Sequence, residues 1–185
     1  MSPSEVFERE RTDYFLALEA CLADIRESHP DAVSELLVEL NNLEVPRPYR
    51  LMRPDILYKQ GEEQKLLRVE KAEGLSFEPL DTSLACGVPM KMHSFRWDKL
   101  ELRLHGDVND WLPFEEWVCK WLDVEDIKST PGADFAGLVH QVSQPVKEDG
   151  VWALCIDMGS ADLEALNELL GVLGGFELQQ IEIGN

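Results

Sequence analysis

The spacing of apolar residues between positions 90 and 183 places the tightest limit on the fold. Leu100, Leu102 and Leu104 alternate with polar residues, which is the period of a half-buried β-strand. Further along, apolar residues recur at steps of three and four, as on one face of an α-helix. That helical stripe contains Phe114, Trp117, Val118, Trp121 and Leu122. A chain that changes between these two periods is predicted to be an α+β protein.

Two strand pairs are predicted, each followed by a helix. Residues 90–97 and 100–104 form the first pair, with a turn at Asp98-Lys99. Residues 138–142 and 151–158 form the second pair, and Ser160 is the expected N-cap of the next helix. The resulting ββα-ββα-β order predicts a mainly antiparallel sheet of about five strands, with helices on one face.

The N-terminal half is predicted to be helical at first and then irregular. Residues 4–28 and 31–42 both show apolar stripes at helical spacing, so we expect an N-terminal helical hairpin over residues 1–45. Residues 46–89 are rich in Pro and Gly and form a connector, in which 56–60 and 65–69 are predicted to pair as a β-hairpin. The α+β core then covers residues 90–185, and we expect the three segments to share one domain.

The charge of the chain is strongly negative. It has 36 acidic and 17 basic side chains, a formal net charge of −19 on 185 residues. The excess lies in residues 1–45 and 105–185, whereas 46–104 is nearly balanced. Solubility needs a charge of only roughly 2–8 for a small domain. The surplus is suited to steering a basic partner, and it disfavours nucleic acid, which is bound by clustered Lys and Arg.

The sequence predicts a cytoplasmic protein that does not enter membranes. Charged residues occupy the N-terminus where a signal peptide needs an apolar core, and no window approaches the roughly 18 apolar residues of a membrane span. The cysteines are far apart among apolar neighbours, which favours reduced thiols over a disulfide framework; they are Cys21, Cys86, Cys119 and Cys155.

No metal or cofactor site is predicted. The chain has no Cys-x-x-Cys, no His-Glu-x-x-His and no acidic loop spaced for calcium. His93 and His105 flank the first predicted strand pair, but two imidazoles without a third ligand make a weak site.

Three residues have the side-chain types of a catalytic cysteine with its base and a supporting acid. Cys155, His140 and Asp157 lie on two strands that are predicted to pair. The apolar surroundings of Cys155 should raise its thiol pKa, which favours a packed core cysteine. Cys86 lies in a predicted loop and has no obvious base near it. A small cysteine-dependent hydrolase or transferase therefore remains an alternative rather than the first prediction.

The basic residues concentrate in one short segment. Arg47, Arg50 and Arg53 surround Tyr49 and could bind an anionic ligand. Pairing with the protein's own carboxylates, or with those of a second copy, is favoured because so acidic a chain needs internal counter-charges.

The first functional prediction is a non-enzymatic protein-binding module. An aromatic side chain ringed by acids is typical of a binding hot spot with electrostatic steering. This character favours an immunity or antitoxin-type inhibitor that docks on a basic partner protein such as a nuclease toxin; a homo-oligomeric adaptor is a further alternative. Trp111 is the predicted anchor, and the acidic rim comprises Asp107, Asp110, Glu115, Glu116, Asp123, Glu125 and Asp126.

Overall fold

The computed structural model describes residues 1–70, 73–128 and 134–184. Within these ranges the chain forms three α-helices and twelve β-strands. The helices are α1 (Pro3–Ser28), α2 (Leu112–Trp121) and α3 (Leu163–Gly174). The strands are β1 (Val33–Ser34), β2 (Val38–Glu39), β3 (Leu51–Met52), β4 (Ile56–Gln60), β5 (Glu63–Leu67), β6 (Leu80–Ser83), β7 (Pro89–Met92), β8 (Leu100–Asp107), β9 (Gln141–Val142), β10 (Val146–Glu148), β11 (Val151–Asp157) and β12 (Glu177–Ile183).

The strands form a large and a small sheet. The small sheet has three antiparallel strands in the order β1-β4-β5. The large sheet has nine strands, of which eight follow the order β2-β3-β9-β11-β8-β12-β7-β6 and β10 pairs with β11. Strands β12 and β7 are parallel, and the other pairs are antiparallel. The α+β class is confirmed, but the expected sheet of about five strands is wrong because the observed one is larger and mixed.

Only the first half of the predicted N-terminal helical hairpin is present. Helix α1 matches the prediction, whereas residues 31–42 contain the short strands β1 and β2. Glu35 lies between these strands with a φ of 55°, a left-handed conformation that an α-helix cannot contain. Its side chain is buried, so tertiary contacts overrule the apolar stripe of this segment.

The first predicted strand pair, residues 90–97 with 100–104, is also wrong, because these segments do not pair with each other. Strand β7 ends at Met92, and both β7 and β8 pair with β12, which lies between them. Phe95 and Trp97 leave the sheet and are buried. The connector hairpin is confirmed, since β4 pairs with β5 from Ile56 to Gln60.

The central strands separate an apolar face from a polar one. Leu102 of β8 is opposite Leu154 of β11, and Leu104 is opposite Ile181 of β12. These side chains are buried in one cluster with residues from all three helices, including Tyr14, Trp117 and Leu169. Because successive side chains of a strand point to opposite faces, Cys155 and Asp157 of β11 project away from this cluster.

Helices α2 and α3 pack against each other. The indole Nε1 of Trp117 donates to the carbonyl of Ala165 at 2.9 Å, and Lys120 lies 2.6 Å from Glu168. The N-cap of α3 is Asp162, which accepts from the backbone N–H groups of Glu164 and Ala165, so the expected N-cap Ser160 is wrong. Among the described residues, no helix has the length and apolarity needed to cross a membrane.

Candidate polar site around His140

His140 is a fully buried histidine held between two carboxylates. Its Nδ1 lies 2.6 Å from Asp55 Oδ1, and its Nε2 lies 2.8 Å from Glu35 Oε1. Burial lowers the pKa of His140, but the hydrogen bonds to both carboxylates outweigh it and raise the pKa to about 10. The ring is therefore an imidazolium that donates from both nitrogens.

Asp55 is fixed by the residues around it. It directly precedes β4, is 2% exposed, and accepts a hydrogen bond from Tyr14 of α1 at 3.0 Å. The backbone N–H of Val69 donates to its second oxygen. Burial and the charges of Asp157 and Asp55 raise the pKa of Tyr14 far above its usual range, so its hydroxyl keeps its proton.

Glu35 is fixed in the same way on the other side of the ring. The hydroxyl of Ser160 donates to Oε1, and the N–H of Ala136 donates to Oε2 at 2.7 Å. Ser160 also accepts from the N–H of Leu138 at 3.0 Å. We refer to Tyr14, Glu35, Asp55, His140 and Ser160 as the His140 network.

A glycine sets the position of the imidazole ring. A Cβ on Gly159 would lie 2.1 Å from His140 Cδ2, and the φ of this residue is 52°. The carbonyl of Gly159 accepts from the indole of Trp97 at 3.0 Å, which holds this backbone in place. The ring therefore packs directly on the backbone between β11 and α3.

Asp157 is the third carboxylate near His140. It is half-buried at the end of β11, and one oxygen accepts from the N–H of Gly159 at 3.0 Å. One potential ligand atom from each of Asp55, His140 and Asp157 lies within 4.8 Å of the others. Burial raises the pKa of Asp157 well above its usual range; the charge of His140 opposes this and that of Asp55 adds to it.

A polar cavity opens beside Asp55 and Asp157. Its volume is about 320 Å³, and its wall also includes Asp98, Arg96 and Cys155. The Asp98 side chain is 7% exposed, and Arg96 contacts its Oδ2 at 2.9 Å. Its Oδ1 is buried and has no hydrogen-bond partner among the described residues. Burial raises the pKa of Asp98, and the Arg96 charge only partly offsets this.

The structure brings together part of the predicted Cys155, His140 and Asp157 set. His140 and Asp157 are neighbours, but no hydrogen bond joins Cys155 to His140 within the described ranges. Burial, aided by the charge of Glu101, raises the pKa of the Cys155 thiol to about 11. The thiol is therefore protonated near neutral pH, as its apolar sequence context predicts.

The other two histidines considered in the sequence, His93 and His105, are not brought together. They lie on opposite sides of β12, and His105 contacts Glu182 at 3.2 Å.

The arginine segment pairs with the protein's own carboxylates, which confirms the favoured prediction. Arg50 lies 2.5 Å from Glu39. Arg53 is fully buried and donates to the carbonyls of Leu122 and Glu35 and to Asp126 Oδ1 at 2.9 Å. Arg53 thereby joins β3 to the segment that follows α2.

The predicted partner-binding residues fall into separate places. Glu115 and Glu116 lie on α2, and Glu125 is exposed beyond its C-terminal end. Asp123 is 6% exposed and accepts from the N–H groups of Ile127 and Lys128, so its expected rim position is wrong. Asp126 is exposed but pairs with Arg53.

Asp107, Asp110 and Trp111 lie together at one end of the large sheet. Asp107 ends β8 and is opposite Glu177 of β12. The Trp111 ring is half-buried, with its centroid 5.1 Å from that of Trp152 and 5.6 Å from that of Phe176. We refer to Asp107, Asp110, Trp111, Trp152, Phe176 and Glu177 as the acidic end face.

Sequence reasoning missed Glu35 and Asp55 as members of the polar site. Glu35 directly precedes the apolar run Leu36-Leu37-Val38, and Asp55 directly precedes Ile56-Leu57. An acidic residue at the edge of an apolar run is a local signal that could have pointed to a buried carboxylate. Comparisons of the chain with protein-family models, curated proteins and solved structures gave no match.

Proposed function

We propose that this protein is an immunity or antitoxin-type inhibitor that binds a basic partner protein, such as a nuclease toxin, through the acidic end face. The observation that carries the proposal is the aromatic cluster of Trp111, Trp152 and Phe176 beside the carboxylates of Asp107, Asp110 and Glu177. Aromatic anchors with a charged rim are the usual arrangement of binding hot spots.

An intramolecular contact supports the chemistry of this face. The amino group of Lys147 lies 5.3 Å from the Trp152 ring centroid and 3.3 Å from Asp107 Oδ1. A lysine or arginine of a partner can make the same pair of contacts, a cation over an indole beside a carboxylate. The net charge of −19 would accelerate the approach of such a partner at low salt.

A groove beside the cluster gives the partner a place to insert. It has a volume of about 340 Å³ and is lined by Asp110, Phe176 and Glu177 together with backbone at the end of α3. Leu112 is 55% exposed next to Trp111 and adds apolar area to the contact. The rim charges would set the association rate, and the aromatic and apolar residues would set the residence time.

The test is capture of a partner from native cell extract with matched charge-reversal variants. Asp107→Lys with Glu177→Lys reverses both charges of one cross-strand pair. Glu8→Lys with Glu19→Lys makes the same change in net charge on the exposed side of α1. We expect the wild type and the α1 variant to retain one basic protein, and the end-face variant to associate with it roughly tenfold more slowly.

Two further measurements complete the test: the salt dependence of the association rate and the inhibition of the captured partner. Association should slow steeply as salt rises from 0.05 to about 0.5 M, because the Debye length falls below 10 Å. Addition of the protein should abolish the activity of the captured partner. Equal retention by both variants would contradict the proposal, and recovery of only the protein itself would favour the homo-oligomeric adaptor.

A further inference from the structure

We propose that Asp55, Asp157 and the Nδ1 atom of His140 form a binding site for one divalent transition-metal ion, with Glu35 as the partner that orients the histidine. This inference is independent of the acidic end face and differs from the sequence-based prediction, which named no metal site. It rests on four observations: the spacing of the three donors, the partner of His140 Nε2, the buried oxygen of Asp98, and the cavity that reaches the site.

The three donors are close enough for one ion. Their ligand atoms lie within 4.8 Å of one another. Donors at about 2.1 Å from a tetrahedral ion lie about 3.4 Å apart, so binding widens the closest pair and rotates the carboxylates to bring the most distant pair nearer by up to about 1.4 Å. In the structure, Nδ1 and Asp55 Oδ1 share a hydrogen bond of 2.6 Å, and the ion would take the place of its proton.

The far side of the imidazole has the arrangement of a metal-bound histidine. A ligating histidine almost always donates its other ring N–H to a carboxylate or carbonyl, which fixes the tautomer and the ring orientation. His140 Nε2 lies 2.8 Å from Glu35 Oε1, and Ser160 and Ala136 hold that carboxylate. The ring is thus oriented with Nδ1 toward Asp55 and Asp157.

The polar cavity gives an ion access to Asp55 and Asp157, and its wall contributes a further carboxylate oxygen. Asp55, Asp98 and Asp157 line it, and its volume of about 320 Å³ accommodates an ion with water ligands. Asp98 Oδ1 is a buried carboxylate oxygen without a hydrogen-bond partner in the described ranges, in a side chain that is 7% exposed. Such an oxygen is costly to bury, and a water molecule bound to the ion would satisfy it.

Two basic residues of the cavity wall, Arg68 and Lys99, have partners other than the donor oxygens. Arg68 Nη2 donates to Gln141 Oε1 at 2.5 Å, and Lys99 lies 2.7 Å from Glu101. One imidazole and two carboxylates form a borderline donor set, which suits Zn²⁺, Mn²⁺ or Fe²⁺ better than Ca²⁺. Zn²⁺ is therefore the first probe, and Co²⁺ is its spectroscopic substitute.

The experiment is a Zn²⁺ titration by calorimetry of the full chain in a Cys86→Ser background, since Cys86 is an exposed thiol that can bind zinc by itself. We expect one ion per chain. Asp157→Asn should weaken binding at least tenfold, while its amide oxygen can still accept from Gly159. Glu35→Gln should weaken binding about 10- to 100-fold. Glu125→Gln removes an exposed acid and should leave the affinity unchanged.

The Co²⁺ form tests the ligand identity. One shifted imidazole N–H resonance is expected in the proton NMR spectrum, because Nε2–H stays bonded to Glu35. Binding that is unchanged in Asp157→Asn would overturn the proposal, as would the absence of stoichiometric binding. A Co²⁺ complex without that resonance would exclude His140 as a ligand. Asp157→Asn is checked for native folding by circular dichroism, so the result does not depend on the more disruptive Glu35 variant.

Discussion

At the scale of single residues, the structure depends on close contacts around His140. The ring packs on the backbone of Gly159, whose left-handed φ of 52° is costly for any residue with a Cβ. Its two nitrogens are bonded to carboxylates that are themselves bonded to Tyr14 and Ser160. A network that is satisfied to this degree tolerates little change in any member.

We expect Gly159→Ala to destabilise the protein. The backbone conformation alone costs about 1–3 kcal/mol, and the new methyl group meets the His140 ring at 2.1 Å. Gly171→Ala in α3 is the matched control, because nothing lies within 4 Å of its Cβ position. That change should stabilise the helix by about 0.5–1 kcal/mol. Urea unfolding measures both, and equal effects would contradict the packing described for Gly159.

The cysteines should differ in their reaction with iodoacetamide. Cys86 is exposed and should be labelled first. The pKa of Cys155 is about 11, so its thiolate is scarce at neutral pH and its labelling should accelerate as the pH rises toward that value. Peptide mass spectrometry of the folded protein measures both rates. Labelling of Cys155 at pH 7 as fast as that of Cys86 would favour the cysteine-dependent enzyme.

At the scale of elements, local sequence patterns determined the helices and the hairpins more reliably than the pairing of distant strands. The stripes of α1 and α2 and the β4–β5 hairpin follow from residues close in sequence. By contrast, β12 lies between β7 and β8, and no local pattern near Met92 indicates that its partner is Ile183, 91 residues away. Residues 31–42 have apolar side chains at helical spacing, but they do not form a helix. Glu35 is buried because its carboxylate bonds to His140 and Ser160.

The polar site could be predicted only in part for the same reason. The proximity of His140, which directly precedes β9, to Asp157 of β11 follows from the β-patterned segments 138–142 and 151–158. Glu35 and Asp55 reach His140 across 105 and 85 residues, and such contacts depend on the whole topology. The acidic rim was predicted from acids close in sequence to Trp111, and helical spacing placed Asp123 on the solvent side. Helix α2 ends at Trp121, however, and Asp123 is buried, where it accepts from the N–H of Ile127 and pairs with Arg53.

The N-cap of α3 gives a prediction at this scale. Asp162→Ala removes the side chain that accepts from Glu164 and Ala165, and should cost about 0.5–2 kcal/mol of stability. Asp162→Asn is the control, because asparagine caps about as well as aspartate. Thermal unfolding compares the two variants. If asparagine costs as much as alanine, the charge at this helix end matters rather than the hydrogen bonds.

At the scale of the whole molecule, buried Arg53 connects parts of the chain that are far apart. Its guanidinium reaches the carbonyls of Glu35 and Leu122, and its backbone N–H donates to the carbonyl of His140 at 2.7 Å. A surface salt bridge contributes little to the free energy of unfolding. Removing one partner of a buried salt bridge, however, leaves a buried charge and several polar groups without partners.

Arg53→Met should therefore destabilise the protein by about 3–5 kcal/mol. Arg47→Met is the matched control, because Arg47 is 55% exposed and lies 3.7 Å from Glu39. Its loss should cost less than about 1 kcal/mol. Chemical unfolding at constant salt measures both. A small effect of Arg53→Met would mean that water satisfies the groups around it.

The His140 network has a consequence for synthesis on the ribosome. Glu35 and Asp55 emerge early, whereas His140 and Ser160 follow 105 and 125 residues after Glu35. The nascent chain therefore holds two carboxylates that cannot be buried until their cation has been translated. We therefore expect the core near Asp55 to close only after His140 has left the exit tunnel, so that the fold completes late rather than segment by segment.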